Sequence, residues 1–193
     1  MSKAKSIVPL AEQAQPTTTE EADTQSYWLL KASTAAKVGK FGKGAIAYAV
    51  TTDSDRLTLH IQITGNEGGG YFSREKVPFD AIEACLAGTE TEQAFPSSTF
   101  KHAFSGRSSN NSGFMVAILR AEGLISVSAT PGTKYEKSGD WQAWKASMLA
   151  EPGSLITEQN AQEQLPSNAD SSSPSRGTLR LPKKKATAKD EAS

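Results

Sequence analysis

The run Arg107-Ser108-Ser109-Asn110-Asn111-Ser112 places one guanidinium, three hydroxyls and two amides in six consecutive residues, just before an apolar-periodic stretch that stops at Gly123. Serine and asparagine accept hydrogen bonds from the free amides of a helix start, at about 1 kcal/mol per good cap, and one or two of them suffice. Five in a row exceed the capping need. A helix start also offers unpaired donors and the positive end of its dipole, which suit phosphate oxygens. Asparagine can pair with adenine edges and arginine with guanine. The run reads either as a solvated turn or as a nucleic-acid contact made by Arg107, Ser108, Ser109, Asn110 and Asn111.

A second candidate is the glycine-lysine segment 37–44, "KVGKFGKG". Glycine lets backbone amides approach a ligand, Lys37, Lys40 and Lys43 neutralise phosphate, and Phe41 can stack on a base. The spacing is not that of a nucleoside-triphosphate loop, because Gly44 follows Lys43 where Ser or Thr is needed. "GKFG" fits the G-x-x-G pattern of KH domains, but its flanks look like strands, whereas KH loops lie between helices. A plain hairpin loop is the competing reading. "GNEGGG" (65–70) fails as a dinucleotide fingerprint, because a strand follows it, and is read as a hairpin tip without chemistry.

Catalytic patterns are missing from the sequence. His60 and His102 are too scattered to form a metal triad with Cys85, and no serine sits in a G-x-S-x-G elbow. Asp53 and Asp55 fall in a turn, where aspartate is expected structurally. The reading is a protein that is not an enzyme and carries neither cofactor nor metal.

The 193 residues carry 21 basic and 21 acidic side chains, so nothing follows from net charge. Their distribution is more informative. Residues 176–189 hold Arg176, Arg180, Lys183, Lys184 and Lys185 with no acid. They form a basic tail that would add sequence-blind contacts or serve only solubility. A single cysteine excludes an internal disulfide. The chain shows no membrane-spanning stretch and no signal-peptide core, which sets a cytoplasmic expectation.

The elements that would position these residues follow from periodicity. Strands are expected at 27–34, 45–53, 56–64 and 71–77. In the third, Leu57, Leu59, Ile61 and Ile63 face the core, while Thr58, His60, Gln62 and Thr64 face water. Pro78 opens a covering helix with Phe79, Ile82, Cys85 and Leu86 as its stripe, ended by Gly88. Helices are expected from Pro96 to Gly106 and from the polar run to Gly123. A two-stranded hairpin at 124–141 follows, then a helix over 140–150 capped by Asp140 and anchored by Trp141 and Trp144.

Helix, polar turn, helix and hairpin resembles a winged-helix or helix-turn-helix module over residues 96–140. The resemblance implies that the start of the second helix, from Arg107 to Ser112, enters a major groove while a wing carries Lys134 and Lys137. The expected class is α+β: a small antiparallel sheet of about four strands with a covering helix, then a winged-helix-like half, between disordered termini. The expected divisions are a tail (1–25), the sheet and helix (26–88), the helix-turn-helix part packed with it (96–150), and a linker with the basic tail (151–193). The functional expectation is non-catalytic nucleic-acid binding, DNA favoured over RNA, in a regulatory or accessory role. The rival is a protein-binding adaptor or inhibitor. It is favoured by near-neutrality between residues 26 and 150, with thirteen basic against eleven acidic side chains, and would use the exposed faces of strands 45–64.

Overall fold

The computed structural model describes residues 26–38, 42–90 and 93–157. In chain order these form β1 (Tyr27–Ala36), β2 (Ala45–Thr52), β3 (Leu59–Asn66), β4 (Lys76–Pro78), α1 (Phe79–Ala84), a 3-10 helix (Ser97–Ala103), α2 (Asn111–Ala121), β5 (Ile125–Val127), β6 (Tyr135–Lys137), α3 (Trp141–Ala150) and β7 (Ser154–Ile156). The class is α+β. Five strands make one antiparallel sheet in the order β4-β3-β2-β1-β7, and β5 pairs with β6. The fifth strand comes from the segment read as linker. Gly153, at φ +65°, turns the chain so that Ile156 pairs with Tyr27.

The alternation of the central strands sets the core. Ile46, Tyr48 and Val50 of β2 and Leu59, Ile61 and Ile63 of β3 face the helices and are buried. Phe79, Ile82 and Leu86 from the covering helix and its exit lie on them, as do Phe100 and five consecutive residues of α2, Met115 to Leu119. Each such side chain contributes about 1.5–3 kcal/mol on burial. The two halves divided in the sequence reading thus share one core. Trp141 and Trp144 complete it, 5.5 and 4.9 Å from the Phe79 ring. Asp140 caps α3, accepting from the Ala143 amide at 2.9 Å.

Four local expectations fail for identifiable reasons. Leu57 is 75% exposed, because the Asp53 carboxylate accepts from the Leu57 and Thr58 amides and prolongs the turn, so the strand begins only at Leu59. The 71–77 segment is mostly irregular, and only Lys76–Pro78 pairs with β3. The helix expected from Pro96 is a 3-10 helix that ends in extended backbone at Phe104. Finally, the second sheet face is wet only in part: Ala32, Thr34 and Ala36 of β1 are exposed on it, and His60 and Gln62 of β3 are half-buried. Ala47, Ala49, Thr51 and Thr64 are buried, and Lys76 reaches from β4 to within 3.1 Å of the Tyr27 ring centroid on β1. Small side chains at the centre of this face lie beneath that crossing.

Arg56 has a left-handed backbone (φ +56°), stacks 4.5 Å from the Trp28 ring, and donates to the carbonyls of Leu149, Glu151 and Pro152 beyond the end of β2. Cationic donors suit the carbonyl-rich end of α3.

Candidate functional site

The polar run does not cap α2. Asn110 occupies the N-cap with helical backbone and makes no side-chain cap bond. The run instead ties the turn to the segment between β3 and β4. Asn111, 2% exposed, accepts from the Ser73 amide at 3.0 Å and donates to the Gly106 carbonyl at 3.2 Å. Ser108 and Asn110 both donate to the Tyr71 carbonyl, at 2.7 and 3.0 Å. Gly106 permits the approach, since a Cβ there would meet Ser73 Oγ at 2.7 Å. The Glu75 carboxylate accepts from the Ser105 and Gly106 amides.

The consequence lies at the helix start. The amides of Ser112 and Gly113 have no hydrogen-bond partner among the described residues. Ser112 as a residue is 5% exposed, but its hydroxyl is not a buried, unpartnered atom. Ser112 lines two clefts that flank the first turn of α2. One, about 330 Å³, is walled by Lys101, Arg107 and Ser109; the other, about 340 Å³, by Lys37, Gly42, Gly69 and Ser109. No acidic side chain is among the described residues that line either cleft. The head groups of Lys101 and Arg107 make no ion pair or hydrogen bond among those residues. Lys37 donates to the Glu67 carbonyl and lies 5.9 Å from the Phe114 ring centroid. Two free amides beside Lys37, Lys101 and Arg107 give this helix start the donors and positive charge that suit an oxyanion.

Lys37 and Gly42 therefore share a cleft with Ser109 and Asn110 of the arginine-led turn, and neither Lys134 nor Lys137 lines either cleft. Lys137 donates to the carbonyls of Leu86 and Thr89 beside Trp141. Lys134 lies at the loop end of β5–β6, next to the Phe95–Tyr135 bridge that joins these strands to the body. Asn111 has both amide functions engaged internally, which removes it as a base reader. Lys43 is exposed. Lys40, Phe41, Arg176, Arg180, Lys183, Lys184 and Lys185 lie outside the described residues. The winged-helix geometry is not confirmed: Met115 to Leu119 of α2 are buried, while Arg120 and Ala121 at its end are exposed.

The sequence pattern did not single out Lys101 or Tyr71. The first has no local signal, since a lone lysine on a short helix is ordinary. The "GNEGGG" tip, read as inert, brings Gly69 to a cleft wall. Cys85 is partly buried, and burial pushes its thiol up, away from the thiolate. Burial lowers His60 on the second sheet face, with Lys76 adding to the effect. Among the described residues, no three His, Cys, Asp or Glu side chains gather as a metal site, and no helix is long and apolar enough to cross a membrane. No family model, curated protein or solved structure matches the chain.

Proposed function

We propose that this protein binds nucleic acid without acting on it chemically, and that it does so through phosphates held at the start of α2. The observation that carries this reading is the start of α2 itself: the amides of Ser112 and Gly113 lack partners among the described residues, and Ser112 lines two cation-walled clefts. Free helix-start amides beside cations suit phosphate oxygens. The approach is end-on. A winged-helix reading, with α2 laid in a groove, would require the stretch from Met115 to Leu119, which the core already covers. With Asn111 engaged internally, the contacts act on backbone phosphates and carry little base preference. The adaptor reading has less to stand on, because Ala47, Ala49, Thr51 and Thr64 of the β2–β3 face it needs are buried, with His60 and Gln62 partly open.

The test is binding of a fluorescently labelled mixed-sequence DNA by the full chain at about 50 and 200 mM salt, followed by anisotropy. Three phosphate contacts predict an affinity loss of roughly twentyfold to fortyfold over that range. The combined variant Lys37→Ala, Lys101→Ala, Arg107→Ala flattens most of the dependence. Absence of binding at low salt overturns the proposal. So does an unchanged salt slope in the variant, which would assign binding to the basic tail.

A further inference from the structure

The geometry points to single-stranded nucleic acid as the ligand, with Tyr71 as a platform on which one base stacks; this rests on the phosphate reading of the clefts. Tyr71 is 77% exposed, a large apolar ring in water. Its neighbour Phe72 turns inward and packs edge-on to Phe114 of α2, ring centroids 6.4 Å apart. The main chain beneath Tyr71 is fixed from both sides. Its carbonyl accepts from Ser108, which lines one cleft, and from Asn110, which lines the other. Before it, Asn66 donates to the carbonyls of Gly69 and Gly70. Gly68, Gly69 and Gly70 all have positive φ, between +77° and +98°, a path closed to most side chains.

An exposed aromatic on a tethered loop loses little conformational freedom when it captures a flat ligand. Stacking on a side chain requires a base whose face is free. Bases in a duplex are already stacked on each other, whereas a single strand offers each π-face. A strand then spans the two features: a phosphate lies against the amides of Ser112 and Gly113, and one of its bases lies on the ring of Tyr71. Every base has such a face, so this contact is tolerant of sequence, in keeping with internally engaged Asn111.

The experiment titrates the full chain and its Tyr71→Ala and Tyr71→Phe variants with a mixed-sequence single-stranded DNA and with the corresponding duplex, at one low salt concentration. The expected result is tighter binding of the single strand and a loss of about tenfold for it in Tyr71→Ala. Tyr71→Phe keeps the affinity, duplex binding is unchanged in both variants, and all three proteins melt alike. If Tyr71→Ala binds the single strand as the parent does, or Tyr71→Phe falls as far as Tyr71→Ala, stacking is overturned while salt-sensitive binding leaves the phosphate reading standing. If the parent binds neither ligand, the phosphate reading falls and this inference falls with it.

Discussion

The two ends of α2 are both polar and differ in how that polarity is satisfied. At its end, Glu122 holds a carboxylate whose side chain is 3% exposed. Lys31 and the Trp144 indole donate to it at 2.8 and 3.0 Å, and the Tyr48 hydroxyl donates as well. A negative charge opposes the dipole there, and Lys31 compensates for it. The backbone closes with equal completeness: Gly123 adopts φ +75°, and the Leu124 amide reaches back to the Leu119 carbonyl at 2.9 Å. At the start of the same helix, two amides lack partners among the described residues and face cation-walled clefts. Complete mutual satisfaction marks a structural device. Incomplete satisfaction facing a cleft marks a place for something else.

Substitutions sharpen that contrast. Glu122→Ala should have the largest effect, about 3 kcal/mol of stability by denaturant unfolding, because it leaves Tyr48 and Trp144 without their acceptor and Lys31 without its counter-charge. Burial raises the Glu122 pKa, and hydrogen bonds from Lys31, Tyr48 and Trp144 outweigh it, so the net shift is downward. The folded value is thus below the unfolded one. Its contribution is complete above the unfolded pKa of about 4.3 and disappears as pH falls through the lower folded value. A Glu122→Gln variant should be weaker at neutral pH and lose that part of the acid transition. If the acid limb is the same in both proteins, the network does not stabilise the fold.

Next in size is Asn111→Ala, at about 2 kcal/mol, since it strands the Ser73 amide and the Gly106 carbonyl. This residue lies at the open end yet behaves like the closed one, and an unchanged melting temperature would break the distinction drawn here. The smallest effects on stability belong to the cations. Arg107→Ala should leave stability within about 0.5 kcal/mol while lowering the salt slope of DNA binding by about 1. Lys137→Ala should leave that slope untouched, because its ammonium serves the carbonyls of Leu86 and Thr89. Equal slopes for the two variants would remove the cleft from the binding surface.

Much of the architecture was legible because it is local. Alternation at Ile46, Tyr48 and Val50 and the stop at Gly123 act over a few residues, as does the cap at Asp140; the covering helix ends at Ala84, four residues before Gly88. What escaped depends on residues far apart in the chain. Asn111 meets Ser73 across 38 positions, and no local pattern distinguishes an asparagine that tethers a loop from one that caps a helix. The same holds for Tyr71, whose exposure is decided by where Ser108 and Asn110 hold its carbonyl. Lys37 does share a cleft with Ser109, Asn110 and Ser112, a proximity the sequence pattern anticipated, while Lys134 and Lys137 were grouped with them only by the winged-helix resemblance. Leu57 shows the converse error, in which a sound period was carried two residues too far into a turn that Asp53 controls.

The three-residue strand β7 decides where the molecule can be cut. It sits beside β1, pairing Ser154 to Ile156 with Leu29 to Tyr27, and Arg56 anchors the chain leading into it. Trimming after α3 would strip that cover and bare a run of main-chain amides and carbonyls on a long, apolar-rich strand, a template for edge-to-edge self-association. A shortened version prepared without the basic tail therefore has to extend through Thr157; otherwise a loss of binding would report aggregation and say nothing about the tail.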